Sequence, residues 1–287
     1  MTTSSLTAGG RGSWMPPPAL IGAKFLELRK RRPLMAVTAA FTIALPVIFY
    51  GIRLISHLSD PAHYAPASAP NAFATAGTVM AEFGFIVAVA LGATAGTADV
   101  SDGMFRHLVI TGRSRLALYL ARIPAGLSIL APLAAVGFTL TCLVTAFLGS
   151  PLPAGVAAVP AGDMIRSGLW IELGLLIGFT VGLGLGSLMG ERIVPVILLI
   201  VLEILITPVL TDHALPGFIN GQRLVVSVAM DQLKPAALTG GTTIGPGGGS
   251  RVMHIPPMPA WAMITVIAGW IIGWSAIGAW KMTTRDA

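Results

Sequence analysis

Six long apolar stretches restrict the fold of this 287-residue chain more than any other feature of its sequence. The hydrocarbon core of a bilayer is about 30 Å thick, so a helix of roughly 20 mostly apolar residues can cross it. The six stretches cover residues 33–56, 75–98, 120–148, 165–189, 193–210 and 260–280. The sequence therefore predicts an all-α integral membrane protein, with a six-helix transmembrane domain over residues 33–280.

The composition excludes several other classes of protein. Hydrophobic residues make up 54% of the chain and charged residues only 10%, whereas a soluble domain carries about 25% charged residues. So few charges cannot form the polar shell of a soluble enzyme, and the apolar content is too high for a disordered chain or a nucleic-acid binder. The one cysteine, Cys142, excludes a disulfide framework and a cysteine-based metal site within one chain.

The positions of the basic residues predict the orientation of the spans. Thirteen of the 18 Lys and Arg residues lie before the first span, between the second and third, between the fourth and fifth, or after the sixth. Loops rich in Lys and Arg stay on the cytoplasmic side of a membrane. We therefore expect both termini in the cytoplasm of a bacterial cell, with a disordered N-terminus over residues 1–17, a tail over 281–287 and the spans in the plasma membrane.

Two segments outside the spans have an apolar pattern of their own. Within residues 18–32, Ile21, Phe25 and Leu28 follow helical spacing, while Lys24 and Arg31 lie elsewhere on the helix. This pattern predicts an amphipathic helix on the inner surface, bound to anionic lipid, although a simple positive anchor for the first span explains most of it. The external loop over 211–259 contains an apolar patch at 224–233, which predicts a short external helix or a re-entrant pair.

A cytoplasmic segment over residues 99–115 has the features of a short helix that contacts a partner. Acidic and hydroxyl residues at its start suit a helix N-terminus, and Gly112 suits its end. Met104, Phe105, Leu108 and Val109 fall on one face. Such a helix can insert into a groove on another protein, and the alternative is a helix that lies on lipid.

This segment resembles the loop between the second and third helices of ABC-2 type exporter permeases. The resemblance rests on Asp102 to Leu108, on the run Thr111-Gly112-Arg113-Ser114-Arg115 and on Ala121-Arg122, with Met104 and Gly112 where the family usually has Thr and Pro. In that family the loop is the coupling helix that docks on a nucleotide-binding subunit. By position, the resemblance implies that the ATPase contact includes Asp102, Gly103, Phe105, Arg106, Leu108, Thr111, Arg113, Ser114 and Arg115.

The resemblance also implies an architecture and a function. It implies a type V exporter-like permease that pairs with a second copy of itself or a related permease. The expected activity is export of a hydrophobic or amphipathic drug, antibiotic or lipid, powered by a separate ATPase that binds ATP and Mg. The chain itself has no G-x-x-x-x-G-K-[ST] sequence, which is the phosphate-binding loop of many ATPases. We therefore expect no enzyme activity, cofactor or metal in this chain, and no nucleic-acid partner.

Small residues recur at helical spacing in the fourth span. Five glycines follow one another every four residues: Gly174, Gly178, Gly182, Gly186 and Gly190. Small residues at this spacing let helix backbones approach closely in lipid. The pattern predicts tight packing within one subunit, and an interface between subunits is the alternative.

Charged residues inside the spans form a further candidate site. Glu82, Glu172 and Glu203 each lie roughly 10 Å, or six to seven residues, from the external end of a span, and Arg53 lies near the external end of the first. Ionisable groups in spans pair with one another or line a polar path, so we expect a polar layer in which Arg53 neutralises a carboxylate. Simple internal pairing is one alternative, and an ion-coupled secondary transporter that uses these carboxylates is another.

Overall fold

In the computed structural model of this protein, the described residues are 15–66, 68–101, 114–147, 157–202, 218–239 and 257–284, with the side chains of 99–101 excepted. Every regular element in these ranges is helical. The helices, numbered here in chain order, are α1 (Pro18–Lys30), α2 (Arg32–Ser59), α3 (Pro70–Ser101), α4 (Arg115–Leu120), α5 (Arg122–Phe147), α6 (Ala161–Met189), α7 (Ile193–Val201), α8 (Ile219–Gln222), α9 (Val226–Gln232) and α10 (Ala260–Thr284).

Five helical segments of the described chain are long and apolar enough to cross a membrane. They are α2, α3, α4 together with α5, α6, and α10, and they match five of the six predicted spans. The remaining predicted span, over 193–210, begins as α7, and most of its second half lies outside the described residues. The prediction of an all-α, multi-pass membrane protein is therefore confirmed, and the sixth span stays a prediction.

Helices α3 and α6 form the centre of the bundle. In their most apolar windows, 67% and 72% of the residues are buried, against 28% or less in the other three spans. The two helices run parallel, because Gly84 lies against Leu175 and, farther along both helices, Gly96 lies against Leu183. We call the contact between them the α3–α6 seam.

Glycines on both helices make the seam possible. A Cβ atom on Gly186 would lie 2.6 Å from the carbonyl oxygen of Ala93, and one on Gly96 would lie 2.6 Å from that of Leu183. Such distances exclude any side chain, so the backbones touch directly. The interpretation of the glycine pattern as packing within one chain is supported at Gly178, Gly182 and Gly186.

The other two glycines of the pattern have different surroundings. Gly174 faces the methyl group of Met230, at 3.7 Å from an added Cβ, and so lies outside the seam. Gly190 has a φ of 73° and ends α6, which is the left-handed conformation that glycine adopts most readily after a helix. The five glycines therefore serve three separate structural purposes.

A π-helical stretch, Ala40–Ala44, interrupts α2. Pro46 has no N–H to donate to the carbonyl of Thr42 four residues earlier, and its ring crowds that carbonyl, so a regular α-helix is disfavoured here. The Thr42 carbonyl packs against the Cα of Gly137 on α5, where a Cβ would overlap it. The irregular turn of α2 and the glycine of α5 therefore fit one another.

Helix α1 packs against α5 and against the core beside it. Its buried residues are Leu20, Lys24 and Leu28, while Ile21 and Phe25 are half-buried against the same core. The prediction that Lys24 lies on the polar side of this helix is wrong. Lys24 is only 6% exposed and pairs with Glu27 at 2.8 Å, because the protein, and not lipid alone, covers this face; Arg31, just after the helix, is half-buried.

Residues 218–239 form a compact segment that packs into the bundle beside α3, α6 and α10. It contains α8, α9 and a short 3₁₀ turn, Ala236–Leu238. Val228, Ala229 and Leu238 are fully buried. Of the two structures predicted for the apolar patch at 224–233, a short helix is present as α9, its external position stays a prediction, and residues 240–256 lie outside the described residues.

Candidate functional site

The candidate site lies at the end of the bundle where Ser101, Ser114, Met189 and Thr284 end or begin helices, which we call the basic end. The predicted contact segment joins Ser101 to Ser114 at this end. Most of its predicted contact residues lie outside the described residues: Asp102, Gly103, Phe105, Arg106, Leu108, Thr111 and Arg113. The site is therefore described through the residues on which that segment is anchored.

Ser114 begins the helix that follows the segment. Its backbone is extended, with φ −66° and ψ 137°, and its hydroxyl oxygen accepts a hydrogen bond from the N–H of Ala117 at 3.1 Å. This is the standard N-cap arrangement, which satisfies one of the backbone N–H groups that a helix start leaves without a partner. The Ser-Arg pair of the predicted contact therefore forms the first turn of α4.

Arg115 connects this first turn to the end of α10. Its guanidinium donates a hydrogen bond from Nη1 to the carbonyl oxygen of Thr283 at 3.1 Å. The last carbonyls of a helix have no partner within the helix, and a cation near them is stabilised by the helix dipole. One turn farther along α4, the buried ring of Tyr119 packs on Gly278 of α10. Helix α4 is therefore held along the C-terminal turns of α10.

Arg122 lies at the start of α5 and is buried, with 1% of its surface exposed. Its Nη1 donates a hydrogen bond to the carbonyl oxygen of Gly96 on α3 at 3.0 Å. The hydroxyl of Ser187 on α6 donates to the same oxygen at 3.4 Å. One carbonyl thus connects three helices, and the glycine leaves room for the α6 backbone beside it.

These contacts bond the ends of several helices to one another at the basic end. We call them the Arg122 junction, formed by Gly96, Ser114, Arg115, Arg122 and Ser187. One end of the predicted contact segment follows α3, and the other enters α4, which is bound to α10 and continues into α5. A displacement of this segment would therefore act directly on the ends of four helices.

Two carboxylates of the predicted polar layer, Glu82 and Glu172, lie at one level on the two helices of the α3–α6 seam. Glu82 on α3 and Glu172 on α6 are both half-buried, and the seam contact between Gly84 and Leu175 sets them level. Seven residues from Glu82, on the same helix face, Val89 packs in one apolar cluster. Seven residues from Glu172, Phe179 packs in another, against Gly126 of α5.

Arg53 lies over an aromatic ring of its own helix. Its guanidinium carbon lies 5.5 Å from the ring centroid of Phe49, and no ion pair between described residues joins it to Glu82 or Glu172. Phe49 is one helical turn away on α2, so a local cation–π contact is available without crossing to another helix. Glu203, the third predicted carboxylate, lies outside the described residues.

The sequence pattern identified Arg122 within the resemblance but gave no indication of its burial or of its bond to Gly96. Gly96 lies in the second predicted span, and its sequence position does not mark its carbonyl as an acceptor. An Arg at the start of a span usually extends to the membrane surface, so a buried Arg could not be distinguished from an exposed one by position.

The structure supports a multi-pass membrane protein with five described spans and a junction of polar contacts at its basic end. The resemblance of residues 102–122 to exporter permeases remains a resemblance of motif. A comparison of the chain with protein-family models finds no match, and a comparison with curated proteins finds none either.

Proposed function

We propose that this chain is the transmembrane permease subunit of an ATP-driven exporter of the ABC-2 type, which moves a hydrophobic or amphipathic substrate out of the cell with a separate ATPase subunit. The observation that supports this most is the Arg122 junction. A segment that only joined two spans would not need both of its ends bonded to neighbouring helices. A segment that receives a push from a partner does need such connections.

The charge distribution supports the orientation that this function requires. The basic end of the bundle coincides with the segments that hold most of the Lys and Arg residues, and such segments face the cytoplasm. An ATPase in the cytoplasm would then meet the segment over 102–113 directly. Helix α1 lies at the same end and packs on α5, so it offers a second surface that moves with the same helix.

The proposed mechanism has three steps. Closure of two ATPase subunits on ATP and Mg moves the segment over 99–115 in each of two permease copies. The Arg122 junction transmits this movement to α3, α5, α6 and α10. The helices then change their positions relative to the second copy, and a path for substrate opens between the copies or toward the lipid.

The docking surface is tested by charge reversal with a matched control. Arg113→Glu changes the predicted contact segment, whereas Arg192→Glu changes an exposed residue in the turn after α6 at the same end of the bundle. We expect the first variant to lose a copurifying ATPase, identified by its nucleotide-binding motifs, and the second to keep it. Equal retention of the ATPase by both variants would contradict the proposed docking surface.

An ion-coupled secondary transporter is the second candidate, and one observation favours it. Glu172 is half-buried in a span and has no ion pair or hydrogen bond among the described residues. A carboxylate in such a place can carry a proton across a membrane. Transport that continues without any ATPase but stops when the proton gradient is dissipated would support this candidate.

A further inference from the structure

Glu172 has no ion pair or hydrogen bond with any residue that the structure describes. It lies within α6, and an ionised carboxylate inside a membrane is costly unless something neutralises it. Three basic residues of the described chain have other contacts. Arg53 lies over Phe49, Arg166 lies 3.5 Å from Asp163, and the Nζ of Lys234 lies 5.9 Å from the ring centroid of Trp170.

Aromatic rings flank Glu172 on the face of α6 that packs against α5. One turn before it, a Cβ on Gly168 would lie 2.8 Å from Cε1 of Phe138, so the missing side chain allows this ring to lie directly on α6. Phe138 in turn lies edge-to-face with Phe73, with the centroids 6.0 Å apart. Two turns after Glu172, the ring of Phe179 lies against Gly126 of α5.

This side of α6 is also open to the lipid. Ile165 and Leu169, which lie two turns and one turn before Glu172 on the adjoining strip of the helix, are 65% and 67% exposed. In a bilayer this surface contacts acyl chains. A molecule dissolved in the membrane would therefore reach Glu172 from the side, between α5 and α6, without crossing the packed α3–α6 seam.

A carboxylate beside aromatic rings, with access from lipid, has the chemistry that recognises a lipophilic cation. The carboxylate supplies the opposite charge, and the faces of aromatic rings attract cations, most strongly where water is excluded. A neutral lipid would not compensate the charge of an ionised Glu172. A small hydrated ion would lose its water without gaining enough oxygen ligands, because one carboxylate offers only two.

We propose that Glu172 and Phe138 form a binding site for lipophilic monovalent cations, such as quaternary ammonium or phosphonium compounds, and that these cations are the substrates of the transporter. The second half of this proposal rests on the proposed export function. The first half does not, because binding to the isolated chain requires neither ATP nor a partner.

Binding of radiolabelled tetraphenylphosphonium to the purified full-length chain in lipid nanodiscs tests the site. We expect saturable binding that weakens at least tenfold in Glu172→Gln and several-fold in Phe138→Leu. Glu172→Asp, which keeps the charge, should keep most of the affinity. The matched control is Glu191→Gln, which removes a carboxylate from the exposed turn after α6 and should bind like the unchanged protein.

Two results would overturn the site. One is equal affinity of the unchanged protein and the Glu172→Gln variant for tetraphenylphosphonium. The other is that Glu172→Gln weakens binding of the neutral compound triphenylphosphine oxide as much as it weakens binding of tetraphenylphosphonium. That result would mean that the substitution disturbs packing, and that the charge of Glu172 does not matter. If Glu172→Gln does not fold, the Phe138→Leu variant tests the site in its place. A site without cation–π character would keep its affinity for tetraphenylphosphonium in that variant.

The outcomes for the site and for the export function are separable. Cation binding that depends on Glu172, without ATP-driven transport of any substrate, would leave the site intact and contradict the exporter. ATP-driven export of a neutral substrate by a chain that does not bind tetraphenylphosphonium would support the exporter and overturn the site. Proton-driven transport that is lost in Glu172→Gln without cation binding would assign Glu172 to proton transfer and overturn the site as well.

Discussion

Arg122 and Gly96 are joined by a hydrogen bond of 3.0 Å between a buried guanidinium and a backbone carbonyl. The bond links the start of α5 to α3 one turn before that helix ends, at the two ends of the predicted contact segment. Because Gly96 also accepts a hydrogen bond from Ser187 on α6, the position of one oxygen depends on three helices. We regard this contact as the structural basis for any movement that the segment transmits.

Replacement of Arg122 should destabilise the protein. Arg122→Ala removes a hydrogen bond to a charged donor, worth about 1.5–3 kcal/mol, and leaves space in a packed region. We expect a clear decrease in the thermal unfolding midpoint in detergent. Arg192→Ala, which removes an exposed Arg at the same end, should have almost no effect, and an equal change in both variants would mean that the buried bond contributes nothing.

Side chains introduced into the α3–α6 seam should be tolerated only where space exists. Gly186→Ala would place a Cβ 2.6 Å from the carbonyl oxygen of Ala93, so the helices must separate, at a cost of about 1–3 kcal/mol. Gly174→Ala is the matched control on the same helix, because its Cβ meets only a methyl group at 3.7 Å. Chemical unfolding should show a loss of stability for the first variant alone. Equal stability of both variants would show that the seam is not closely packed.

The irregular turn of α2 and Gly137 should behave as a coupled pair. Gly137→Ala places a Cβ onto the Thr42 carbonyl and should lower the free energy of unfolding. Pro46→Ala restores an N–H for that carbonyl, so α2 can become regular and withdraw the oxygen from α5. We therefore expect the double variant to be more stable than the sum of the two single effects predicts, measured as a double-mutant cycle. If the two effects on the free energy of unfolding simply add, the irregular turn of α2 and Gly137 are not coupled.

The segment over 218–239 should open more easily when an indole hydrogen bond is removed. The Nε1 of Trp170 donates to the carbonyl oxygen of Met230 at 2.8 Å. Trp170→Phe removes this bond, worth about 1 kcal/mol, so amide exchange over Val226–Gln232 should become roughly fivefold faster. Trp280→Phe changes an exposed Trp at the opposite end and should leave exchange there unchanged. No change in either variant would show that other contacts hold the segment.

Features that depend only on residues close together in the sequence could be predicted from it. Hydropathy identified the five described spans, because the length of a spanning helix depends on bilayer thickness alone. Glycine spacing predicted close packing, since the requirement for small residues is visible in one helix. Ser114 as a helix N-cap agrees with the end of the predicted segment, because capping depends on a few neighbouring residues.

Features that depend on which helix faces which could not be predicted in the same way. Lys24 was expected on a polar face, but the contact of α1 with α5 buries it. Glu82 and Glu172 were expected at one depth and lie level on α3 and α6, but the neighbours of each carboxylate depend on the rotation of its helix about its axis. The glycine spacing marks one closely packed face of α6, but it does not say which helix meets that face, and a helix that is otherwise apolar all round has no second preferred face.

If a separate ATPase drives transport through this chain, uptake of substrate into inverted membrane vesicles should depend on ATP. Vesicles that contain the chain and its copurified ATPase should accumulate tetraphenylphosphonium when ATP and Mg are added, with the proton gradient dissipated. Omission of ATP, or the Arg113→Glu variant, should abolish uptake, whereas Arg192→Glu should preserve it. Uptake that proceeds without ATP and requires the proton gradient would contradict the account.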